Sequence, residues 1–407
     1  MTLLHSLSII NNSQLILSGS KSETNRLLLL QALYPNLKLK NTSDSDDSQV
    51  MQKALSTDES EIDIHHAGTA MRFLTAYFAV QEGREIILTG SARMKERPIK
   101  ILVDALLQLG ADLTYEAKEG FPPLRIKGKK LSANKISMQA NVSSQYISAL
   151  LLIAAKLENG LELTLEGKIT SVPYINMTLA LLNQAGIETS FADNKIKVSP
   201  KTKISPATII VESDWSSASY FYSIVALSNP ETQITLSNYR QDSFQGDAAV
   251  AEIYKCFGVE TTFNKTQITL RKFVNSLAPV NLALNDTPDI AQTIAVTCFG
   301  LGIGCELTGL HTLKIKETDR LDALKTELTK LGAQISITDD SLSLLRSNKI
   351  IPNTTIHTYH DHRMAMAFAP LALKIPIVIE DAEVVSKSYP AFWDDLKYIG
   401  FQVIKLS

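Results

Sequence analysis

Apolar and polar residues follow one another along the chain in a pattern that recurs about every seventy residues. In each copy, a segment with apolar residues at helical spacing ends in a glycine, and one or two extended segments follow it. Glycine is favoured where a helix ends at a positive φ, so these glycines predict helix ends. They are Gly110, Gly186, Gly258, Gly332 and Gly400.

A second, more apolar helix is predicted before the amphipathic one in each copy, and its apolarity indicates burial. Ser, Thr or Asp opens several of these segments, which is typical of helix N-caps. Each copy then has the order β-α-β-α-β-β, and about six copies predict an α/β (α+β) fold. The apolar segments are residues 23–33, 69–80, 144–156, 216–227, 289–299 and 362–373.

The copies divide into two predicted globules of three copies each, because the chain is long for a single core. The front globule is predicted at residues 20–212, and the back globule at residues 1–19 together with 213–407. The extended segment at residues 8–16 is expected to complete the back globule. The first copy offers only one strand candidate, residues 61–64, so it is predicted to have lost a strand pair.

Composition narrows the classes of protein that the chain can represent. A net charge of −2 argues against a nucleic-acid binder that relies on bulk positive charge. Cys256, Cys298 and Cys305 are odd in number and form no C-x-x-C pair, which argues against a disulfide framework and a zinc site. No apolar run reaches about 18 residues and the N-terminus lacks a secretory signal. A cytoplasmic protein without membrane or nucleic-acid partners is therefore expected.

The segment from Lys314 to Arg320 concentrates three cations and two carboxylates in seven residues. It is predicted to enter an amphipathic helix that carries Lys316 and Arg320 on one face, with Glu317 beside them. Cations and free backbone N–H groups at a helix start can hold an anion, and the adjacent acid can move a proton. The alternative is a solvated, salt-bridged first turn.

Other helix starts in the front half carry similar groups. Residues 18–26 form a Gly/Ser loop with two cations, but position 15 is Leu15, so the upstream Gly of a P-loop is missing. Residues 67–72, 93–98 and 142–146 add small residues, hydroxyls, an amide and cations. Each has a capping explanation by itself, whereas together they predict an anion receptor if the helix starts converge.

Candidate chemistry in the back half is concentrated before three helices. Asp289 is predicted to cap an apolar helix after a proline. His360 and His362 invite a metal hypothesis, but no third ligand has supporting spacing, so no metal is predicted. Lys387 precedes the last helix. No G-x-S-x-G elbow occurs, which disfavours covalent serine catalysis.

Seven motifs in order along nearly the whole chain resemble the EPSP synthase family, the 3-phosphoshikimate 1-carboxyvinyltransferases. They are Gly19-Ser20-Lys21-Ser22 with Asn25-Arg26, Ala67-Gly68-Thr69-Ala70-Met71-Arg72, Arg93-Met94-Lys95-Glu96-Arg97-Pro98-Ile99, Val142-Ser143-Ser144-Gln145, Ser216-Ser217-Ala218-Ser219-Tyr220, Lys316-Glu317-Thr318-Asp319-Arg320 and Asp361-His362-Arg363-Met364-Ala365-Met366.

The resemblance implies two similar globules, each with three repeats about a pseudo-threefold axis and with the active-site cleft between them. It implies transfer of the enolpyruvyl group of phosphoenolpyruvate to the 5-hydroxyl of shikimate 3-phosphate, through a tetrahedral intermediate that expels phosphate. The pathway would be chorismate and aromatic amino-acid biosynthesis. The resemblance implies no metal, no organic cofactor and a monomer.

The resemblance also implies residue roles, with Asp289 as the base toward the 5-hydroxyl, Glu317 as the acid at the methylene carbon and Lys21 close to both substrates. The implied contacts of shikimate 3-phosphate are Lys21, Ser22, Arg26, Ser143, Ser144, Gln145, Ser171, Asp289, Thr312 and Lys316. Those of phosphoenolpyruvate are Lys21, Gly68, Arg97, Gln145, Arg320, Arg363 and Lys387.

Three residues depart from the family pattern. His66 replaces the usual Asn before Ala-Gly-Thr, and Phe73 replaces the Pro after Met-Arg. Both lie beside the implied phosphoenolpyruvate subsite, so the inhibitor sensitivity of the family does not transfer to this chain. Thr312 replaces an Asn that contacts substrate in the family.

Two other functions remain as alternatives. The sister enzyme of cell-wall synthesis transfers the same group to a UDP-sugar, but it usually carries a Cys in a mobile loop of the front globule. All three cysteines of this chain lie in the back half. A non-catalytic phospho-metabolite binding protein would be supported by loss of Glu317 or Asp289, and both residues are present.

Overall fold

The computed structural model describes residues 1–6, 8–140, 143–167, 169, 172–274, 276–347 and 349–406. The chain folds into two compact units. Unit 1 contains Met1–Ser18 and Glu212–Ser407, and unit 2 contains Gly19–Val211. No helix in the described ranges has the length and apolarity needed to cross a membrane.

The described helices are α1 (Lys21–Leu33), α2 (Asp46–Ser56), α3 (Gly68–Ala79), α4 (Lys100–Gln108), α5 (Ser144–Ala154), α6 (Val172–Gln184), α7 (Trp215–Leu227), α8 (Val250–Ile253), α9 (Ala291–Leu301), α10 (Arg320–Lys330), α11 (His362–Phe368) and α12 (Phe392–Tyr398). Short 3₁₀ turns lie at Met94–Glu96, Gly246–Ala249, Tyr254–Phe257, Pro288–Ile290, His311–Ile315, Ala369–Leu373 and Ala382–Lys387.

The described strands are β1 (Thr2–His5), β2 (Ser13–Ile16), β3 (Leu37–Lys40), β4 (Glu61–Asp63), β5 (Glu85–Thr89), β6 (Asp112–Tyr115), β7 (Leu124–Lys127), β8 (Lys135–Gln139), β9 (Leu161–Glu166), β10 (Thr189–Ala192), β11 (Lys195–Val198), β12 (Ala207–Ile210), β13 (Gln233–Ser237), β14 (Val259–Asn264), β15 (Gln267–Lys272), β16 (Val280–Ala283), β17 (Cys305–Thr308), β18 (Ile335–Ile337), β19 (Ser341–Leu344), β20 (Thr355–Ile356), β21 (Ile377–Ile379) and β22 (Gln402–Lys405).

The sheets confirm the predicted α/β repeat. Four sheets share one topology, with strand orders β4-β5-β7-β6, β8-β9-β11-β10, β2-β13-β15-β14 and β16-β17-β19-β18. In each of them the first two strands are parallel and the other neighbours are antiparallel. The sheet β20-β21-β1-β22 repeats this pattern with β1 in the third place. The sixth sheet has only two described strands, β3 and β12, which are parallel.

The strand predicted at residues 8–16 is shorter than expected, because only Ser13–Ile16 (β2) is extended in a sheet of unit 1, and a separate strand, β1 (Thr2–His5), precedes it. Strand β1 pairs with β21 and β22, and β2 pairs with β13. Between them, Asn12 has a φ of 60°, and its N–H donates to the carbonyl of Gln233. A residue in this left-handed region bends the chain, so one continuous strand cannot form there.

The core of each unit lies around three apolar helices that pack against one another: α1, α3 and α5 in unit 2, and α7, α9 and α11 in unit 1. Described side chains in the middle of these helices are buried, including Phe73, Leu150 and Phe221. Helices that are apolar all round require such burial, as the sequence indicates. The five glycines predicted at helix ends all take a positive φ, between 76° and 108°.

Candidate active site

The segment from Lys316 to Arg320 does not lie on one helical face as predicted. Helix α10 begins at Arg320, and Lys316 has an extended backbone with φ −80° and ψ −151°. The carboxylate of Asp319 caps the helix by accepting from the N–H groups of Leu321 (3.1 Å) and Asp322 (3.2 Å). Because this cap starts the helix after Lys316 and Glu317, the side chains of these two residues extend from a loop.

The carboxylate of Asp289 lies among three cations of unit 1. Its Oδ1 is 3.0 Å from Nη1 of Arg320 and 3.5 Å from Nζ of Lys316, and its Oδ2 is 3.2 Å from Nη2 of Arg363. The predicted N-cap role is wrong, because Asp289 lies inside the 3₁₀ turn Pro288–Ile290, where no side chain caps the backbone. The carboxylate is turned toward the cations instead.

Arg320 connects the carboxylates of the site and is almost completely buried. Its Nη2 donates to Oε2 of Glu317 (2.9 Å), and its Nε donates to Oδ2 of Asp361 (2.7 Å). Burial alone would lower the pKa of Arg320, but the charges of Asp361, Glu317 and Asp289 raise it above its usual value. The guanidinium is therefore a permanent cation between the carboxylates of Asp289 and Glu317.

Arg363 and Lys387 lie close to the same group of residues. Nη1 of Arg363 donates to the backbone oxygen of Asp289 (3.2 Å), and its Nη2 donates to Oγ of Ser216 (3.3 Å). Asp361 accepts from the N–H of Arg363 (2.9 Å), which starts helix α11. Nζ of Lys387 donates to the carbonyl of His360 (2.6 Å), next to Asp361 in the chain. Fixed cations of this kind can stabilise the charges of a phosphate and a carboxylate.

A second group of predicted residues surrounds the start of α3 in unit 2. A Cβ added to Gly68 would lie 2.5 Å from Nη1 of Arg97, so only glycine lets this guanidinium approach the backbone so closely. Arg72 is buried below it and donates to the carbonyls of Gly68 (3.0 Å) and Pro98 (3.2 Å). Burial and the neighbouring charge of Arg97 lower the pKa of Arg72 to about 10.

Helix α5 adds Gln145 to this group, since Nε2 of Gln145 donates to Oγ1 of Thr69 at the start of α3 (3.1 Å). Ser143 is the N-cap of α5 and accepts from the N–H of Gln145 (3.4 Å). Ser144 is buried in the first turn. The predicted Ser171, and Val142 of the motif, lie outside the described residues.

Lys21, Ser22 and Arg26 lie on α1 of unit 2, but their surroundings differ. Nζ of Lys21 is 3.3 Å from Oδ2 of Asp47. Arg26 is buried, and it donates to Oγ1 of Thr178 (2.8 Å), Oγ of Ser148 (3.1 Å) and the carbonyl of Ser22 (2.8 Å). Burial lowers its pKa to about 10. In this arrangement Arg26 joins α1 to α5 and α6.

Thr312 lies in the 3₁₀ turn His311–Ile315. Its hydroxyl is buried and has no hydrogen-bond partner among the described residues. Also in unit 1, Nδ1 of His360 is 2.9 Å from the carboxylate of Asp381. The described part of the chain contains no group of three His, Cys, Asp or Glu residues that could hold a metal ion.

Sequence reasoning gave no role to several residues that build this site. Asp361 holds Arg320, Arg72 supports Gly68, and Ser216 contacts Arg363. All three belong to motifs quoted for the family resemblance. Asp247, which contacts Ser216, belongs to none of them. The signal that could have found Asp361 is its place directly before a helix that opens with His362 and Arg363.

Known proteins resemble this chain along nearly its whole length. Residues 52–396 match the family model of EPSP synthase (3-phosphoshikimate 1-carboxyvinyltransferase). The chain is 48% identical over 393 residues to a 3-phosphoshikimate 1-carboxyvinyltransferase of Bacteroides fragilis, with 95% of each chain covered. It is 36% identical over 408 residues to one of Vibrio cholerae, with 93% of this chain and 94% of the other covered. The structure of EPSP synthase from Acinetobacter baumannii has the same fold, with a TM-score of 0.82, 21% identity and 99% of each chain covered.

Proposed function

This chain belongs to the EPSP synthase family, and we propose that a cluster in unit 1 carries out the proton transfers of that family's reaction. The cluster consists of Asp289, Lys316, Glu317, Arg320 and Arg363. The chain is a transferase of the shikimate pathway and aromatic amino-acid biosynthesis. It transfers the enolpyruvyl group of phosphoenolpyruvate to shikimate 3-phosphate and releases phosphate. The observation that carries the proposal is that Asp289 and Glu317 bind the same guanidinium, that of Arg320, at 3.0 and 2.9 Å.

The two carboxyl groups have complementary roles in the proposed mechanism. Asp289 accepts the proton of the 5-hydroxyl, whose oxygen forms a bond to C2 of phosphoenolpyruvate. Glu317 donates a proton to C3, which gives a tetrahedral intermediate. Loss of a proton from C3 and of phosphate from C2 then restores the double bond in the product. Arg320 is shared by both carboxyl groups, so it keeps them close enough to act on one substrate pair.

The cations around these carboxyl groups are proposed to bind the substrate anions. Arg320, Arg363 and Lys387 are assigned to phosphoenolpyruvate, and Lys316 to shikimate 3-phosphate. The guanidinium fork of arginine binds two oxygens of a phosphate or carboxylate at once. Substrate anions would therefore replace part of the ion pairs that Asp289 makes with these cations. The residues assigned to the same substrates in unit 2 include Lys21, which is proposed to contact both.

The test is phosphate release from phosphoenolpyruvate in chelator-treated buffer, with either shikimate 3-phosphate or UDP-N-acetylglucosamine as acceptor. Release with shikimate 3-phosphate alone is expected. Release with the UDP-sugar alone would move the function to cell-wall synthesis. Absence of release with either acceptor would contradict the proposed transferase and leave a binding protein.

We further propose that the enzyme works as a monomer in the cytoplasm. Two of its three cysteines, Cys298 and Cys305, are buried free thiols, which suits a reducing compartment. Light scattering during size-exclusion chromatography should give a mass near 44.7 kDa. A mass twice as large would contradict the monomer.

A further inference from the structure

Asp247 is a buried carboxyl group next to the site of unit 1 that the proposed mechanism does not use. It lies in the 3₁₀ turn Gly246–Ala249, between β13 and α8, and is 6% exposed. In the described part of the chain, the hydrogen bonds to its carboxylate come from two hydroxyl groups rather than from a cation. Oδ2 accepts from Oγ of Ser216, and Oδ1 accepts from Oγ1 of Thr287 (2.7 Å).

Both hydroxyl groups belong to elements that position proposed active-site residues. Ser216 lies in the first turn of α7, and its oxygen also accepts from Nη2 of Arg363 (3.3 Å). Thr287 opens the 3₁₀ turn that carries Asp289 two residues later. Asp247 therefore connects the guanidinium of Arg363 to the turn of Asp289. The same guanidinium also contacts Asp289 directly, at its Oδ2 and at its backbone oxygen.

The direction of the hydroxyl protons gives this connection its chemical effect. An ionised carboxylate can only accept hydrogen bonds, so both hydroxyl protons must point toward Asp247. The lone pairs of Ser216 are then left for Arg363. A protonated or amidated side chain at position 247 carries a donor of its own, and one of the two hydroxyl groups must turn to accept it.

We propose that Asp247 is a positioning residue that fixes the guanidinium of Arg363, through Ser216, and the turn of Asp289, through Thr287, in the arrangement that binds phosphoenolpyruvate. This inference rests on the proposed function, because it concerns the arginine assigned to that substrate. It concerns the positions of Arg363 and of the turn that carries Asp289, and does not require that Asp289 or Glu317 moves a proton.

The environment of Asp247 places its ionisation close to neutral pH. Burial, followed by the charge of Asp289, raises the pKa of Asp247 to about 6, while Arg363 and the two hydroxyl groups act in the opposite direction. The groups that face it are Ser216 from α7, Thr287 and Asp289 from the turn before α9, and Arg363 from α11. The carboxylate is present at pH 7.5 and is lost as the pH falls through about 6.

The first test is Asp247→Asn, which keeps the size of the side chain and removes the carboxylate. The KM for phosphoenolpyruvate at pH 7.5 should rise about three- to tenfold, the effect of weakening one hydrogen bond, with a smaller change in kcat. In the wild type, this KM should rise as the pH falls through about 6. The Asn variant should show a smaller rise, because nothing titrates at position 247 and only the substrate phosphates, whose second pKa is also about 6, still change charge in this range.

A double-mutant cycle identifies the route through Ser216. Ser216→Ala removes the intermediate hydroxyl, so the double variant should have a KM no higher than the worse of the two single variants. Glu327→Gln is the matched control. Glu327 is also buried, but its described partners are Lys330, Tyr359 and the N–H of His357. This variant should leave the KM and its pH dependence unchanged.

A measurement without turnover separates this inference from the proposed function. Phosphoenolpyruvate, added with shikimate 3-phosphate, should raise the unfolding temperature less in Asp247→Asn and in Ser216→Ala than in the wild type. Equal rises in all three proteins, or an unchanged or lowered KM in both variants, would overturn the positioning role even if the wild type releases phosphate. If the rises are smaller in the variants but the wild type releases no phosphate, the result would support the positioning role and contradict only the transfer reaction. If the Asn variant does not fold, Ser216→Ala alone decides both measurements.

Discussion

Arg320 shows how single side chains in this protein combine structural and chemical roles. Its guanidinium binds Asp289, Glu317 and Asp361, and the side chain is almost fully buried. A buried cation needs such carboxylate partners, because an unpaired charge in the interior is very unfavourable. The same ion pairs hold Glu317 and Asp289, the proposed acid and base, close to each other. The interactions that allow Arg320 to be buried therefore also position the two carboxyl groups.

Glu317→Gln should lose most turnover while both substrates still bind, because the cations rather than the acid hold the anions. A loss of about 10²- to 10⁴-fold in kcat is expected for removal of a general acid. The measurement is steady-state phosphate release combined with calorimetric titration of the substrates. Asp339→Asn is the control, because that exposed carboxylate pairs with Lys314 outside the cluster. Near-normal kcat in the Gln variant would remove Glu317 from the acid role.

Gly68→Ala should weaken phosphoenolpyruvate binding without unfolding unit 2. The added Cβ would lie 2.5 Å from Nη1 of Arg97, and the end of this side chain can move away. Its guanidinium would then leave the position assigned to the substrate. We expect a rise of about tenfold or more in the KM for phosphoenolpyruvate, with an unfolding temperature close to that of the wild type. A KM equal to that of the wild type would show that the approach of Arg97 to Gly68 does not matter for binding.

At the scale of secondary structure, the site of unit 1 depends on where helices begin. Asp319 caps α10 directly before Arg320, and Asp361 caps α11 two residues before Arg363. A cap fixes the backbone at the first turn, so it also fixes the direction in which Arg320 and Arg363 leave their helices. Asp361 does this while its carboxylate also binds Arg320.

Asp319→Ala should therefore reduce activity by more than its effect on stability suggests. Loss of the two bonds to the N–H groups of Leu321 and Asp322 should cost about 1 kcal/mol of folding free energy. Because Glu317 precedes this cap and Arg320 follows it, kcat should fall by more than tenfold. Denaturant unfolding and steady-state kinetics measure the two effects.

Asp319→Ser provides the comparison for this cap, because serine also accepts from helix N–H groups. It should restore most of the stability and most of the activity. A serine variant as inactive as the alanine variant would indicate that the charge of Asp319, rather than the cap, supports the site.

At the scale of the whole molecule, the chain enters and leaves unit 2 at neighbouring points. In unit 2, a Cβ on Gly19 would lie 2.9 Å from Cγ1 of Val211. In unit 1, Oγ of Ser213 donates to the carbonyl of Leu17 (2.6 Å). Unit 2 is thus one uninterrupted segment with adjacent ends and its own helical core, which are properties of a segment that can fold alone.

Residues 19–211, produced as a separate protein, should unfold cooperatively on heating. The reason is that the helices α1, α3 and α5 and the sheets around them belong to this segment alone. The two-stranded sheet of β3 and β12 closes the shortened copy without residues of unit 1. Circular dichroism measures the transition. A broad, non-cooperative melt would mean that the shortened copy leaves unit 2 incompletely packed.

A joined version of unit 1 is the matching control. Residues 1–18 can be connected to residues 212–407 by a short Gly/Ser linker, because Leu17 and Ser213 are hydrogen-bonded neighbours. Each fragment should show its own transition, and neither should release phosphate alone. Phosphate release by one fragment by itself would contradict the assignment of substrate contacts to both units.

Much of the fold could be predicted from the sequence because its signals are local. The apolar periods, the capping residues and the glycines at helix ends each depend on a few neighbouring residues, and the structure confirms the repeat they predict. The N-terminal strand shows the limit of this approach. Residues 8–16 are compatible with an extended chain, but only Ser13–Ile16 forms a strand, because only these residues pair with the distant strand β13.

The order of elements and the residues that start and end the helices follow from local sequence, because they depend on neighbours along the chain. Which of the charged residues meet depends on tertiary packing. Arg320 and Asp361 are 41 positions apart, and Asp247 and Thr287 are 40 apart. Ion pairs and hydrogen bonds act over a few ångströms in space, so packing, rather than spacing in the sequence, turned Asp289 from an expected helix cap into a carboxylate surrounded by three cations.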